Sequence, residues 1–141
     1  MRKSIAALAV TATVAAVVVG GTSAASADTR VVKDSTVAGL YHLSGENVGA
    51  LAYDNCLNGQ TCFFQYTGGG GILWVVPSCG RNKVPSAFND KASSAWNKGG
   101  GPADLFYNTD YTGFLGTMPW GFRGDLRADH QDRLSSLVVN C

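Results

Sequence analysis

The sequence has little of what most enzymes and nucleic-acid-binding proteins use. Only two of its 141 residues are histidine, and it contains neither a Gly-x-Ser-x-Gly nor a His-Glu-x-x-His motif, which argues against a serine hydrolase or a zinc peptidase. Charged residues make up 15% of the chain, and the formal net charge is +1. Because no concentrated basic patch is present, neither nucleic acid nor a membrane is expected as a partner.

Helical periodicity is also missing. From Cys62 onward no stretch of about 12 residues has apolar residues at helical spacing. Instead, short aromatic and β-branched runs alternate with clusters of Gly, Asn, Asp and Pro, as in all-β proteins. The runs predict strands at residues 61–66, 72–76, 93–97, 104–107, 114–119 and 135–140.

Residues 1–27 are predicted to be a secretory signal peptide. Arg2 and Lys3 precede an apolar run over residues 5–19, and small residues at 25–27 suit a cleavage site. A membrane anchor is the alternative, but this run is short of the roughly 20 residues that span a bilayer. Cleavage would leave nine Lys and Arg against ten Asp and Glu, since Arg2 and Lys3 are removed. We therefore expect a secreted, extracellular protein.

The remaining chain is expected to form one domain. Residues 28–49 mix charged and small residues without a clear period, which favours a flexible or loosely attached N-terminal extension. The compact domain is then expected over residues 50–141, and we expect it to be a monomer.

Four cysteines follow the predicted signal, and an even number in an oxidising space indicates two disulfides. Three pairings are possible. We favour Cys56 with Cys62, which closes a short Asn/Gly turn, and Cys79 with Cys141, which closes a long loop. Metal binding by the cysteines is the weaker alternative, because the spacing from Cys56 to Cys62 is too wide for a usual zinc knuckle.

The most informative feature is an internal repeat: residues 64–94 recur at 106–136, an offset of 42, without an insertion. The matches include Phe64 with Phe106, Gly71 with Gly113, Asp90 with Asp132, Ser93 with Ser135 and Ser94 with Ser136. Two copies of one supersecondary unit, each too small to bury a core alone, are expected to pack against each other as a pseudo-symmetric pair.

Two elements of the repeat resemble those of βγ-crystallin-type domains. One is the hairpin motif aromatic-x4-aromatic-x-Gly, present at residues 106–113 and, with Gly69 in place of the second ring, at 64–71. The other is the loop motif Asn/Asp-Asn/Asp-x-x-Ser/Thr-Ser, at residues 89–94 and, with Gln131 in place of the first Asn or Asp, at 131–136. The resemblance implies a β-sandwich of two Greek-key motifs over about residues 62–141.

In that family the loop binds calcium, so the resemblance implies two sites. The first would use Asp90, the Lys91 carbonyl and Ser93. The second would use Asp132, the Arg133 carbonyl and Ser135. Oxygen donors of this kind suit Ca²⁺. With one carboxylate for each ion and a basic neighbour at Lys91 and Arg133, any binding is expected to be weak. The alternative is that the Asp and Ser side chains hydrogen-bond backbone amides and hold the loops in place.

A second resemblance concerns function. The predicted signal, the cysteine pair ahead of the first strand, the run at residues 89–96 and the aromatic-Gly hairpin are similar to the bacterial secreted peptidase inhibitors of inhibitor family thirty-six, whose founding member is a metalloproteinase inhibitor. The resemblance implies a secreted peptidase as partner and no enzymatic activity. A calcium-binding structural or stress module and an antimicrobial, killer-toxin-like protein are the alternatives.

An inhibitor of this kind presents a preorganised loop to the cleft of the enzyme. The best candidate is the polar stretch after Cys79, bordered by Pro77 and Pro85, whose residues are Gly80, Arg81, Asn82, Lys83 and Val84. An ordinary loop with solvated cations is the simpler interpretation. His130, Asp132 and Ser135 do not predict a catalytic triad, because the first copy repeats the Asp and Ser but has Phe88 in place of the histidine.

Overall fold

The computed structural model describes residues 30–45 and 51–141. These residues form ten strands and one short 3-10 helix, Tyr53–Asn55. The strands are β1 (Arg30–Lys33), β2 (Leu40–Ser44), β3 (Thr61–Phe64), β4 (Ile72–Val75), β5 (Gly80–Lys83), β6 (Ser94–Asn97), β7 (Ala103–Phe106), β8 (Phe114–Met118), β9 (Arg123–Asp125) and β10 (Ser136–Val139). Each of the six strands predicted from the sequence is present. Within the described ranges, no helix is long and apolar enough to span a membrane.

Two antiparallel sheets carry the repeat. The larger sheet has the order β1-β2-β4-β3-β6-β9, and the smaller sheet has the order β5-β10-β7-β8. At the offset of 42 residues, β3 is equivalent to β7, β4 to β8, β5 to β9 and β6 to β10. Each copy of the repeat is therefore a four-stranded Greek key. The order β4-β3-β6-β9 in one sheet then corresponds to β8-β7-β10-β5 in the other. The prediction of two related β-motifs is confirmed.

The copies are interlocked because each places its third strand in the other's sheet. Strand β5 pairs with β10, and β9 pairs with β6. The hydrogen bonds follow the same symmetry: the Val84 amide donates to the Ser135 carbonyl at 3.0 Å. At the equivalent place the Leu126 amide donates to the Ser93 carbonyl at 2.9 Å. This is the βγ-crystallin-like sandwich that the sequence predicts.

Alternation along the strands produces two apolar clusters. Phe63 lies in the main core between the sheets, while its neighbours Cys62 and Phe64 face the outer side of the larger sheet. There they pack with Tyr53 of the 3-10 helix and with Leu73. The segment before β3 therefore covers the outer face of the sheet and belongs to the folded domain.

The two hairpins have the same backbone conformation at the motif glycine but differ in their aromatic contacts. Gly71 and Gly113 have φ of 69° and 68°. In the second copy Tyr111 packs edge-on against Phe106 at 6.4 Å between ring centroids. In the first copy, where residue 69 is glycine, Phe64 is contacted instead by Tyr53 at 5.0 Å. A ring from outside the repeat thus contacts the hairpin aromatic that lacks its motif partner.

The structure differs from the expected N-terminal extension over the residues it describes. Strand β2 pairs with β4, and Leu40, opposite Trp74, is only 1% exposed in the main core. Strand β1 adds to β2 and is exposed along its length. The sequence did not predict the β1–β2 hairpin, because every residue of β1 is exposed and the strand therefore lacks alternating apolar and polar residues. The predicted signal peptide at residues 1–27 and the predicted boundary near residue 50 lie outside the described residues.

Both predicted disulfides are present. Cys56 pairs with Cys62, and Cys79 pairs with Cys141. The first lies in the buried cluster on the outer face of the larger sheet. The second joins the residue before β5 to Cys141, two residues beyond the end of β10, so it fixes the start of one edge strand to the strand that pairs with it.

Candidate functional site

The predicted inhibitory loop is a strand. Residues 80–83 form β5 at one edge of the smaller sheet, hydrogen-bonded to β10 on one side only among the described residues. Arg81 and Lys83 are exposed, whereas Asn82 and Val84 are 6% exposed. The expectation of a loop was wrong for residues 80–83, because burial of Asn82 and pairing with β10 stabilise an extended conformation that the polar composition does not indicate.

Several contacts hold this edge strand. The buried Asn82 amide donates to the carbonyls of Ser78 at 2.8 Å and Gly80 at 3.0 Å, which fixes the turn that leads into β5. The Arg81 guanidinium lies 5.0 Å from the centre of the Tyr111 ring. The Thr112 hydroxyl lowers the pKa of Asp110, and the charge of Lys83 lowers it further. Both exposed cations therefore interact with the hairpin of the second copy.

The two crystallin-type loops interact across the copies. The Ser93 hydroxyl donates to Asp132 at 3.0 Å, and the Ser135 hydroxyl donates to Asp90 at 3.3 Å. Asp90 and Asp132 both have φ of 55°, in the left-handed region. The predicted sets grouped each Asp with the Ser of its own loop, whereas the hydrogen bonds join each Asp to the Ser of the other copy.

A cleft of about 430 Å³ brings part of the predicted metal set together, with Asp90, Lys91, Ser93 and Asp132 among its lining residues. The Lys91 ammonium donates to the Ala87 carbonyl at 2.7 Å. The other basic neighbour, Arg133, lies 5.6 Å from the centre of the Tyr107 ring. Among the described residues, no group of three or more His, Cys, Asp or Glu side chains is placed to hold a metal ion. Any cation here would need hydroxyl and carbonyl oxygens in addition to the Asp carboxylates.

The side chains of His130, Asp132 and Ser135 are not arranged as a catalytic triad, as the sequence comparison of the two copies indicates. The Ser135 hydroxyl donates to Asp90, while His130 Nε2 lies 3.7 Å from Asp129. Ser93 is likewise bonded to the Asp of the opposite copy. The Asp and Ser pairs are thus equivalent in the two copies, and they link the halves of the sandwich.

Sequence reasoning missed that β5 is a strand and that Tyr111 and Asp110 support its cations. One signal was available: Arg81 and Arg123 match at the offset of 42 within the recognised repeat. The Arg123 guanidinium lies over Trp96, 4.6 Å from a ring centre. The repeat therefore contains an arginine that packs on an aromatic ring in both copies.

The comparisons with known proteins agree with this architecture. Residues 49–118, about half of the chain, match peptidase inhibitor family I36. The match covers the 3-10 helix, the first Greek key and strands β7 and β8 of the second. A search of curated proteins and a search of solved structures each found no match.

The chain therefore belongs to peptidase inhibitor family I36. Membership confirms that its role is that of an inhibitor and not of an enzyme, and it implies a peptidase as the partner.

Proposed function

We propose that this protein inhibits extracellular metallopeptidases by placing the edge strand β5 and its flanking turn, residues 79–84, in the cleft of the enzyme. The observation that carries the proposal is an extended segment whose outer edge pairs with no other strand among the described residues and whose position is fixed by a disulfide and by β10. The Cys79–Cys141 disulfide fixes its start, and pairing with β10 fixes its length. The founding member of this inhibitor family inhibits a metalloproteinase, so metallopeptidases are the first class of target that we propose.

An edge strand suits occlusion because its unpaired backbone groups can add to an extended binding cleft as a further strand. Arg81 and Lys83 alternate with buried Asn82 and Val84, so the outward face presents two cations to the enzyme. Since the turn and both cations already have partners on the protein, little conformational entropy would be lost on binding. Slow release would follow from this preorganisation.

The test is a stoichiometric titration of the secreted protein against a panel of metallo- and serine peptidases. At least one metallopeptidase should be inhibited at a ratio near one to one. The variant Arg81→Ser with Lys83→Ser should weaken that inhibition at least tenfold. Both side chains are exposed, so the fold should persist.

The matched control is Arg30→Ser with Lys33→Ser, which removes the same two charges from an exposed edge strand of the other sheet. This variant should inhibit as the parent does. Equal losses in both variants would indicate a general charge effect. Inhibition of serine peptidases alone would overturn the assignment to metallopeptidases.

We propose, as a second candidate function, weak calcium binding by the paired loops. Two observations support it. The Lys91 ammonium donates to the Ala87 carbonyl, and the Arg133 guanidinium lies over the Tyr107 ring. Each Asp carboxylate also lies beside a Ser hydroxyl of the opposite copy. One carboxylate with hydroxyl and carbonyl oxygens fits a hard cation held loosely, in the range of about 10⁻⁴ to 10⁻³ M.

Thermal melting in saturating calcium and in chelator tests this second function. Binding at about 100 times the Kd adds roughly 2.7 kcal/mol to the free energy of unfolding. Asp90→Asn with Asp132→Asn should remove the difference between the two curves. Identical curves for the parent protein would exclude calcium binding and leave the loops with a structural role.

A further inference from the structure

A pocket beside β8 belongs to neither site described above. It has a volume of about 290 Å³, and its lining includes Leu105, Leu115, Gly116, Met118, Phe122 and His130. Asp125 and Arg127 also line it. A mostly apolar pocket with a few polar groups on its wall is the usual composition of a site for a small organic group.

The repeat explains why the pocket exists. Three of its lining residues, Leu105, Gly116 and His130, correspond at the offset of 42 to Phe63, Trp74 and Phe88. In the first copy these aromatic rings fill the equivalent space. The Phe63 and Trp74 rings stack at 5.9 Å, and the Trp74 and Phe88 rings are 6.1 Å apart.

The decisive exchange is Trp74 for Gly116. Trp74 is 1% exposed in the main core, so its indole occupies fully enclosed space. At Gly116 an added Cβ would meet only the His130 Cε1 atom, at 3.6 Å, an ordinary contact distance. The second copy thus has room where the first has an indole.

The pocket is also open at the strand edge. In the first copy β2 pairs with β4 and sets Leu40 opposite Trp74. The equivalent strand β8 pairs with β7, and among the described residues nothing pairs with its other edge. A ring can therefore enter beside Gly116 from the side that β2 covers in the first copy.

We propose that this pocket binds an aromatic ring system of indole size. The first copy shows which group fits such a space, and a strand glycine beside an open apolar surface is readily covered by an aromatic ring. His130 adds a polar ring atom that Phe88 lacks, with a side chain only 19% exposed. No residue of β5 lines this pocket, so the site is separate from the proposed inhibitory segment.

Two sources could supply the ring: a free aromatic compound, or an aromatic side chain on an extended polypeptide that pairs with β8. Both are tested by titrating the isotope-labelled protein with indole and with a capped Thr-Val-Trp-Val-Thr peptide. Nuclear magnetic resonance should show saturable shifts at Leu115, Gly116 and His130. If the peptide binds at least tenfold more tightly and slows amide exchange in β8, the ring is carried by a polypeptide. Equal affinity identifies a free aromatic compound.

The test variant is Leu105→Phe with His130→Phe, which gives the second copy the residues of the first at two of the three positions and fills the space beside Gly116. Affinity for indole should fall at least tenfold while the spectrum stays that of a folded protein. The control is Trp120→Ala, which removes a ring that is 68% exposed near the pocket and should leave binding unchanged. Absence of saturable shifts in the parent, or shifts that persist in the filled variant, would overturn the proposal.

Discussion

At the scale of single residues, the first hairpin requires glycine at position 71 for two reasons. The backbone there is left-handed, and neighbouring side chains leave no room for a Cβ atom. Its φ is 69°, and a Cβ there would lie 2.8 Å from the Tyr66 ring and from Gln65 Oε1. Gly59 has φ of 85° and no atom within 4 Å of an added Cβ. Substituting alanine at each position therefore distinguishes two costs: the left-handed backbone alone at residue 59, and the backbone together with a steric clash at residue 71.

We expect Gly59→Ala to lower the free energy of unfolding by about 1 kcal/mol, the cost of a left-handed alanine. Gly71→Ala carries the same backbone cost and should lose a further 1–3 kcal/mol, on the order of an overpacked site. Urea denaturation of both variants measures the difference. Equal losses would mean that the Tyr66 and Gln65 side chains move aside freely.

Asp34 organises the turn between β1 and β2. Its carboxylate accepts hydrogen bonds from the Thr36 hydroxyl and amide, both at 2.7 Å, and from the Val37 amide at 3.1 Å. These bonds, the Thr36 hydroxyl first among them, hold the pKa of Asp34 well below its ordinary value of 3.8. Its contribution to stability is therefore present above pH 3.8 and is lost as the pH falls toward the lower folded pKa.

We expect acidification below pH 3.8 to loosen this turn. The amide protons of Thr36 and Val37 should lose protection before those of β3, as measured by hydrogen exchange between pH 5 and pH 2. In Asp34→Asn, which cannot ionise, the protection of these amides should vary much less with pH. An unchanged pH dependence in the variant would show that another group controls the turn.

The residue scale also shows where sequence reasoning stopped. The importance of Asp90, Ser93, Asp132 and Ser135 followed from their equal spacing in the two copies. That each Asp accepts a hydrogen bond from the Ser of the other copy did not follow, because the exchange of β5 and β9 between the sheets decides which loops meet. Spacing along one chain carries no information on that pairing.

At the scale of elements, the hairpin of β1 and β2 shows the same limit. Leu40 is buried, while Val32 on the neighbouring strand is 57% exposed. We expect Leu40→Ala to cost 2–5 kcal/mol, the usual range for a leucine removed from a core. Thermal or urea unfolding measures this cost.

The control is Val32→Ala, which should change stability by no more than about 0.5 kcal/mol, as at most exposed positions. A small effect of Leu40→Ala would restore the expectation of a loosely attached segment. A large effect of Val32→Ala would instead indicate that β1 contacts part of the chain outside the described residues.

The predicted and missed strands differ in a physical way. The six predicted strands contain apolar or aromatic residues that face a core, whereas β5 (Gly80–Lys83) and β9 (Arg123–Asp125) are short and polar. Their strand conformation comes from pairing with β10 and β6. Propensity is weak evidence for such strands because the neighbour decides.

At the scale of the whole molecule, the two disulfides are expected to contribute unequally. Cys79–Cys141 spans 62 residues, and Cys56–Cys62 spans 6. In the loop-entropy account they contribute about 4 and about 2 kcal/mol. Cys79→Ser with Cys141→Ser should therefore lower the urea midpoint strongly. Both residues are exposed, so little packing is lost with them.

Cys56→Ala with Cys62→Ala removes the shorter bridge but also leaves space in a buried cluster. Its loss should exceed the entropic figure of about 2 kcal/mol by a packing cost. Unfolding of both double variants under the same conditions gives the comparison. A negligible effect of removing Cys79–Cys141 would show that β5 is fixed by its hydrogen bonds with β10 alone.

The exchange of third strands has a consequence for the order in which the protein matures. As the chain leaves the ribosome, β6 has no partner on its outer edge until β9 has been made, and Cys79 must wait for a thiol that is 62 residues away. At roughly 5–20 residues per second, that delay is about 3–12 s. The first half of the molecule thus waits for two later segments, β9 to complete its sheet and Cys141 to close its disulfide.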